Sequence, residues 1–256
     1  MNTPSPVAET IFFSDLHLSP VRPGKFELFR RLLQGPARKA ESIYLLGDLF
    51  EQFWVGNDDR TPPNEEILAA LKDCAAAGPK CHILRGNRDL MLDAGFTALT
   101  GWQLLPDRSV IQVFGEKALI MHGDLLCTRD TGYQAFRAFM ENPRIRWLYL
   151  AFPYALRILL SHGLRPLLRR SAAGKPAEII DVEPGAVRRE MENAGVARLI
   201  HGHTHRPGTF PVAMADQTGS RVVLGDWYGN GQILVCNREQ WRLINIEDYL
   251  REHEAS

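Results

Sequence analysis

Short apolar runs, each closed by polar and mostly glycine-flanked residues, recur along this chain. Thr10-Ile11-Phe12-Phe13 leads into Ser14-Asp15-Leu16-His17-Leu18, Ile43-Tyr44-Leu45-Leu46 into Gly47-Asp48, and Cys81-His82-Ile83-Leu84 into Arg85-Gly86-Asn87-Arg88-Asp89. Residues 117–121 run into His122-Gly123-Asp124, and Ala197-Arg198-Leu199-Ile200 into His201-Gly202-His203-Thr204-His205. Their length and their β-branched and aromatic content predict buried strands. Between them, Phe26, Phe29, Leu32 and Leu33 recur at helical spacing until Gly35-Pro36. Residues 65–77, 91–100 and 184–193 predict further helices, the first closed by Gly78-Pro79 and the last by Gly195. Further strands are predicted at 109–114 and 179–182, then at 208–212, 221–224, 232–235 and 241–246 in hairpin fashion, with 251–256 as a polar, frayed end. His82 lies mid-strand, away from the strand terminus where the other polar groups gather, and reads as a packing or surface residue.

From residue 130 to 175 the alternation of strand and helix stops. Phe136, Phe139, Trp147, Tyr149, Phe152 and Tyr154 stand among many leucines, and residues 129–175 carry nine Arg or Lys against two acids. That is a net +7 in a chain whose 30 basic and 30 acidic residues balance. The segment predicts either a basic face on an ordinary helical core or a lid for an amphiphilic anion or an anionic membrane surface. His162 within it reads as incidental.

The overall balance gives no reason to expect nucleic acid as a partner. No stretch has the roughly 18–20 uninterrupted apolar residues of a membrane span, and residues 1–9 do not resemble a secretory signal. A cytoplasmic protein is therefore expected. Cys74, Cys81, Cys127 and Cys236 form no C-x-x-C pair and read as reduced packing residues. The 256 residues, 45% of them hydrophobic, suffice for one domain with an elaboration.

Polar residues gathered at strand ends are what α/β proteins use to bind ligands. If the histidine cluster leaves its strand extended, His201, His203 and His205 share one face, and three convergent imidazoles suggest a metal. Together the strand ends offer Asp15, His17, Asp48, Asn87, His122, His203 and His205, more donors than one ion needs. Two ions about 3.5–4 Å apart with a shared carboxylate would use them all and would suit phosphoryl displacement. Oxygen and imidazole donors without thiolate favour Mn²⁺ or Fe²⁺, with Zn²⁺ as an alternative.

The motif order D-x-H, G-D, G-N-x-D, H-G-D and G-H-T-H resembles the calcineurin-like metallophosphoesterase superfamily. The resemblance implies an α/β (α+β) fold in which a β-sandwich is flanked by helices, with a helical cap inserted at 131–178 between core segments 1–130 and 179–256. It assigns Asp15, His17 and His205 to one metal, Asn87, His122 and His203 to the other, and Asp48 to both. Asn87-Arg88-Asp89, with Gly47-Asp48-Leu49-Phe50-Glu51 and the His122 and His201 segments, is similar more narrowly to the UDP-2,3-diacylglucosamine pyrophosphatase family of lipid A synthesis. That implies two Mn²⁺ and a lipid substrate, a UDP-activated diacylated glucosamine. Water would attack the α-phosphate, yielding UMP and 2,3-diacylglucosamine 1-phosphate, at the cytoplasmic face of an anionic inner membrane to which the protein binds peripherally. It further implies catalytic roles for Asp48, Asn87, Arg88 and His201, and substrate contacts from Asn87, Arg88, Asp130, Tyr133, Arg165, Lys175, His201 and His203. The cap departs from the family pattern at Arg129, Leu168 and Ala172. The alternatives are a cyclic-nucleotide or general phosphodiesterase with the same two metals, or a non-catalytic scaffold.

Overall fold

Alternation within each apolar run sorts its side chains onto two faces, and in this chain both faces are buried. The computed structural model describes residues 8–172, 179, 181–228 and 231–254, with side chains for all of these except 164–172. In a six-stranded sheet, β1 (Thr10–Phe13), β2 (Ser42–Leu45), β3 (Lys80–Ile83) and β4 (Gln103–Leu104) run parallel. β10 (Gln232–Cys236) pairs antiparallel to β1, and β11 (Trp241–Asn245) antiparallel to β10. A five-stranded sheet has the order β5 (Ser109–Val113), β6 (Glu116–Ile120), β7 (Arg198–His201), β9 (Thr218–Val223), β8 (Gly208–Ala213). Within it β6, β7 and β9 are mutually parallel.

The two sheets face each other across a core of Phe12, Tyr44, Leu46, Leu84, Ile120, Ile200, Val222 and Leu234. The neighbours of these residues in sequence, Ile11, Phe13, Ile43, Leu45 and Ile83, point the other way, into a layer with Phe29, Leu32, Leu71, Phe96 and Trp102. This outer layer is built by helices α1 (Pro23–Gln34), α2 (Asn64–Ala76) and α3 (Ala94–Thr100). On the far side, Leu119, Met121 and Leu199 meet Ala186, Val187 and Met191 of α7 (Pro184–Ala194). Helix, sheet, sheet and helix thus stack with both faces of the central strands β1, β2 and β7 covered, which is why those strands read as continuous apolar runs.

The cap consists of α4 (Thr131–Glu141), α5 (Pro143–Ala151) and α6 (Tyr154–Ala172). Arg137, 1% exposed, joins it to the core through ion pairs with Asp124 at 2.7 Å and Asp107 at 3.2 Å, while also pairing with Glu141 of its own helix at 2.9 Å. Arg157 of α6 donates to the Val55 carbonyl at 2.7 Å and pairs with Asp58.

Four local features differ from the sequence-based expectation. Residues 246–254 form helix α8 (Ile246–Glu254) rather than a strand end and a frayed tail. Ile246, Tyr249 and Leu250 are buried on one face, and Tyr249 donates to Glu9 at 2.7 Å. A nine-residue amphipathic segment is too short for its period to stand out, and tertiary packing decides it. α3 begins at Ala94 rather than 91, because the Asp93 carboxylate caps Gly95 N–H. β4 has only two residues and carries no pattern. Ile179 is helical and Asp181-Val182 belong to no strand, so the strand expected at 179–182 does not form among the described residues.

Trp102 is fully buried, its indole N–H donates to the Leu71 carbonyl at 3.0 Å, and its ring meets Phe13 edge-on at 6.5 Å. Trp102→Ala is expected to cost about 3–5 kcal/mol and to lower Tm by roughly 10 °C, measured by calorimetry. An unchanged Tm would show that the outer helical layer is not tied to the central sheet at this point.

Candidate metal centre

The carboxyl ends of β1, β2, β3, β6 and β7 converge, and their loops are laced together by main-chain hydrogen bonds. Asp15 N–H donates to the Gly47 carbonyl at 3.1 Å, His17 N–H to that of Asp48 at 3.0 Å, and Gly202 N–H to that of His122 at 2.8 Å. Asp15, His17, Asp48, His203 and His205 all have positive φ, between 47° and 69°. Only Phe114 joins them among described non-glycine residues. Such backbone costs on the order of 1 kcal/mol or more per residue and concentrates at functional sites. It also corrects the extended geometry expected of the histidine cluster: left-handed turns at 203 and 205 split the three rings.

Glycine makes the crowding tolerable at two positions. A Cβ at Gly86 would collide with the Asp48 amide and carboxylate, and one at Gly202 with Ser14 and the Asp15 carboxylate.

Asp15 Oδ1 lies 3.3 Å from His205 Nε2 and 3.9 Å from His17 Nε2. Asp48 turns Oδ2 toward His17 Nε2 at 3.5 Å and Oδ1 toward His122 Nε2 at 3.8 Å, so its two oxygens serve different sides of the site. Asn87 Oδ1 stands 3.1 Å from both His122 Nε2 and His203 Nδ1. All seven expected donors are therefore together. Ligand atoms of Asp15, His17 and His205 fall within 4.8 Å of one another, as do those of Asp15, Asp48 and His122.

Surrounding groups aim these ligands. Asp15 Oδ2 accepts from His203 N–H at 2.9 Å, and Asp48 Oδ1 accepts from Arg88 N–H at 2.8 Å. His122 Nδ1 is 2.8 Å from the Leu46 carbonyl and His205 Nδ1 is 2.8 Å from Asp226, so in each ring Nδ1 is the donor and Nε2 is left for a metal. Sequence reasoning passed over Asp226, although Val222-Val223-Leu224-Gly225-Asp226 repeats the strand-glycine-carboxylate pattern of Gly47-Asp48.

The electrostatics suit a cation. Burial pushes the Asp15 carboxyl up, but the hydrogen bond from His205 and the charges of His122, His205 and His17 outweigh it, so the carboxyl sits well below the usual range. Burial lowers His17 and His203, keeping their lone pairs free. His205 is half-buried, and although burial lowers it, its bonds to Asp15 and Asp226 carry it up to about 10. Both ring nitrogens of His17 are buried without a hydrogen-bond partner although carboxylates stand close by. An orphaned imidazole between two buried acids is what a divalent cation would satisfy, so these residues fit a metal.

His201 departs from expectation. Its ring is fully buried, Nδ1 lies 2.8 Å from the Gly202 carbonyl, and burial with the charge of Arg221 brings it down to about 3. A neutral, sealed imidazole has no exposed atom for the substrate contact expected of it. Asp130 caps α4, accepting from Tyr133 N–H at 3.0 Å, and the Tyr133 hydroxyl donates to the Asp124 carboxylate. The side chain of Arg165 and the whole of Lys175 lie outside the described residues, as do the side chains of Leu168 and Ala172.

Residues 9–207 match the family model described as Calcineurin-like phosphoesterase. A relative from Aliivibrio fischeri named UDP-2,3-diacylglucosamine hydrolase is 44% identical over 224 residues, 88% of this chain and 92% of its own. A second of that name, from Escherichia coli O81, is 41% identical over 237 residues, 93% of this chain and 98% of its own. Among solved structures, an archaeal phosphodiesterase covers 92% of this chain and 98% of its own at 13% identity, with a TM-score of 0.47.

Gly86→Ala is expected to displace the Asp48 carboxylate, lowering bound metal by elemental analysis and turnover by about 100-fold. Full metal content with normal turnover would show that the 85–89 loop can yield.

Proposed function

The chain belongs to the calcineurin-like phosphoesterases, and from that premise we propose that it hydrolyses UDP-2,3-diacylglucosamine to UMP and 2,3-diacylglucosamine 1-phosphate in lipid A synthesis. The observation that carries this reading is the seven-donor centre beside an apolar cap. Phe139, Trp147, Leu148, Leu156, Leu159 and Leu160 of the cap are all exposed. A general phosphodiesterase has no use for such a surface, and a non-catalytic scaffold would not need to keep all seven donors. The full-length similarity to two relatives carrying that hydrolase name supports the same substrate.

In this reading Asp15, His17 and His205 hold one divalent ion, Asn87, His122 and His203 the other, and Asp48 faces both. We assign Mn²⁺ from the oxygen and imidazole donor set, with Fe²⁺ and Zn²⁺ as the alternatives. A bound pair supplies Lewis-acid stabilisation of phosphoryl oxygens and a water of lowered pKa. Water oxygen becomes bonded to the α-phosphorus as the water gives up a proton to solvent, the bond to the bridging oxygen breaks, and the departing sugar phosphate keeps that electron pair.

The chain's own groups fix where this happens. Arg88 is held by its main chain, N–H to Asp48 and carbonyl to Trp54 N–H at 2.9 Å. Its Nε is buried without a hydrogen-bond partner, which leaves the guanidinium for a phosphate oxygen. Asn87 and His203 lie next to the same phosphate. Tyr133 and Asp130 stand where the cap joins the core and contact the sugar, and the family resemblance would add Arg165 and Lys175 as cations for the phosphate half.

No helix of the described residues is long and apolar enough to cross a membrane. The exposed cap side chains suit shallow contact with an anionic bilayer surface on its cytoplasmic side.

With Mn²⁺ the protein is expected to release UMP from UDP-2,3-diacylglucosamine, and chelator should abolish this. Arg88→Ala should lower kcat by about 100-fold with metal retained. No UMP above the chelator control, with soluble nucleotides cleaved instead, would overturn the substrate. Replacing Phe139, Trp147 and Leu159 together by serine should weaken sedimentation with anionic vesicles by about tenfold or more; equal sedimentation would remove the cap from the membrane contact.

A further inference from the structure

The rim of the centre beside His17 carries cations that the ligand set does not use. Tyr228, 42% exposed, has its ring centroid 5.2 Å from that of His17 and 5.9 Å from that of His205. Lys25 Nζ lies 3.6 Å from the Tyr228 centroid and the Arg22 guanidinium carbon 4.3 Å from it. Arg22 precedes α1 and Lys25 is in its first turn.

Among the described residues neither cation forms an ion pair. Lys25 is 7% exposed, and its hydrogen bond goes to the Leu16 carbonyl at a long 3.4 Å. The acids near it are Glu51 and Asp226, and both are engaged: Glu51 accepts from the Tyr228 hydroxyl at 2.7 Å, and Asp226 holds His205. Burial and the neighbouring Arg22 draw the Lys25 ammonium down to about 8. The charge of Arg88 is felt at both His17 and Tyr228, so it adds to the positive potential of this rim. A lysine taken out of water beside an arginine is poorly compensated by an aromatic face, one long hydrogen bond and two acids already engaged elsewhere, and a bound anion would relieve it.

We propose that Arg22 and Lys25 extend the cationic edge begun by Arg88 into a subsite for the second phosphoryl group of a diphosphate substrate, the one that departs. This rests on the diphosphate reading above. The departing group gains a negative charge as the bridging bond breaks, and a phosphate monoester carries nearly two charges at neutral pH. Fixed cations beside it favour the transition state over the bound substrate.

Arg22→Gln and Lys25→Met remove the charges while keeping side-chain bulk. In Mn²⁺-loaded protein with metal content checked, the double variant should lower the ratio of kcat/KM for UDP-2,3-diacylglucosamine to that for bis(p-nitrophenyl) phosphate by roughly tenfold or more. The dissociation constant of UDP-N-acetylglucosamine, measured by titration calorimetry, should rise by roughly fivefold or more, and Lys25→Arg should recover most of both. An unchanged ratio with unchanged dissociation constant, or a parallel loss on both substrates, would overturn the subsite. If wild-type protein released no UMP from the lipid while the calorimetric difference persisted, the lipid substrate would fall and the diphosphate subsite would stand.

Discussion

Two buried carboxylates, Asp15 and Asp48, stand in one site with imidazoles as neighbours and, among the described residues, no lysine or arginine paired with either. Buried acids need compensating charge: without an ion the protonated His205 supplies part of it, and a bound divalent cation would complete the site. The rest of the architecture holds it regardless. Left-handed backbone at five ligand positions aims the side chains inward, and Gly86 and Gly202 give their backbones room to approach the two acids. That strain is sustainable because the parallel strands supplying the loops are covered on both faces and cannot shift separately.

Neither sheet is sufficient alone. β1, β2 and β3 bring Asp15, His17, Asp48 and Asn87, while β6 and β7 bring His122, His203 and His205. The apolar layer between the sheets therefore sets the spacing of the donors, and polar contacts refine it: Gly202 N–H to the His122 carbonyl within one sheet, His203 N–H to Asp15 and His122 Nδ1 to the Leu46 carbonyl between the two. The cap is tied to the same region through Arg137 and Tyr133, which share the Asp124 carboxylate. Asp124 is two residues from His122, so the anchor of α4 lies beside the candidate centre.

The strands and all seven donors were legible because burial on both faces gives unbroken apolar runs and because each run ends in polar residues. What was lost is what depends on backbone conformation or on distant packing. The two-residue spacing of His201, His203 and His205 suggested one convergent triplet, but positive φ at 203 and 205 removes the alternation, and His201 stays in β7 facing the interior. Helix α8 owes its form to burial of Ile246, Tyr249 and Leu250 rather than to its own propensity. Asp226 was missed although its strand-glycine-carboxylate signature was present, because a carboxylate that orients a ligand looks in sequence like one that binds metal. Tyr228, Lys25 and Arg22 had no signal at all: their meeting is made by the fold.

On the proposed reading, Arg88 would register substrate against metal. Its amide holds Asp48 Oδ1 and its carbonyl holds Trp54, so the main chain is spent on the carboxylate that faces both halves of the centre. The side chain then starts from a fixed point at the metal rim. A cation anchored independently could drift relative to the reacting phosphorus; here any shift of Asp48 moves the guanidinium with it. Coupling of this kind makes position, rather than charge alone, the quantity that the Gly86-Asn87-Arg88-Asp89 turn conserves within the molecule, and Asp89 reinforces it by accepting Leu49 N–H at 3.1 Å from the Asp48 loop. Two hydrogen bonds thus join the turn to the Asp48 loop, and in the proposed reading the phosphate contact and the shared carboxylate would be mounted together on them.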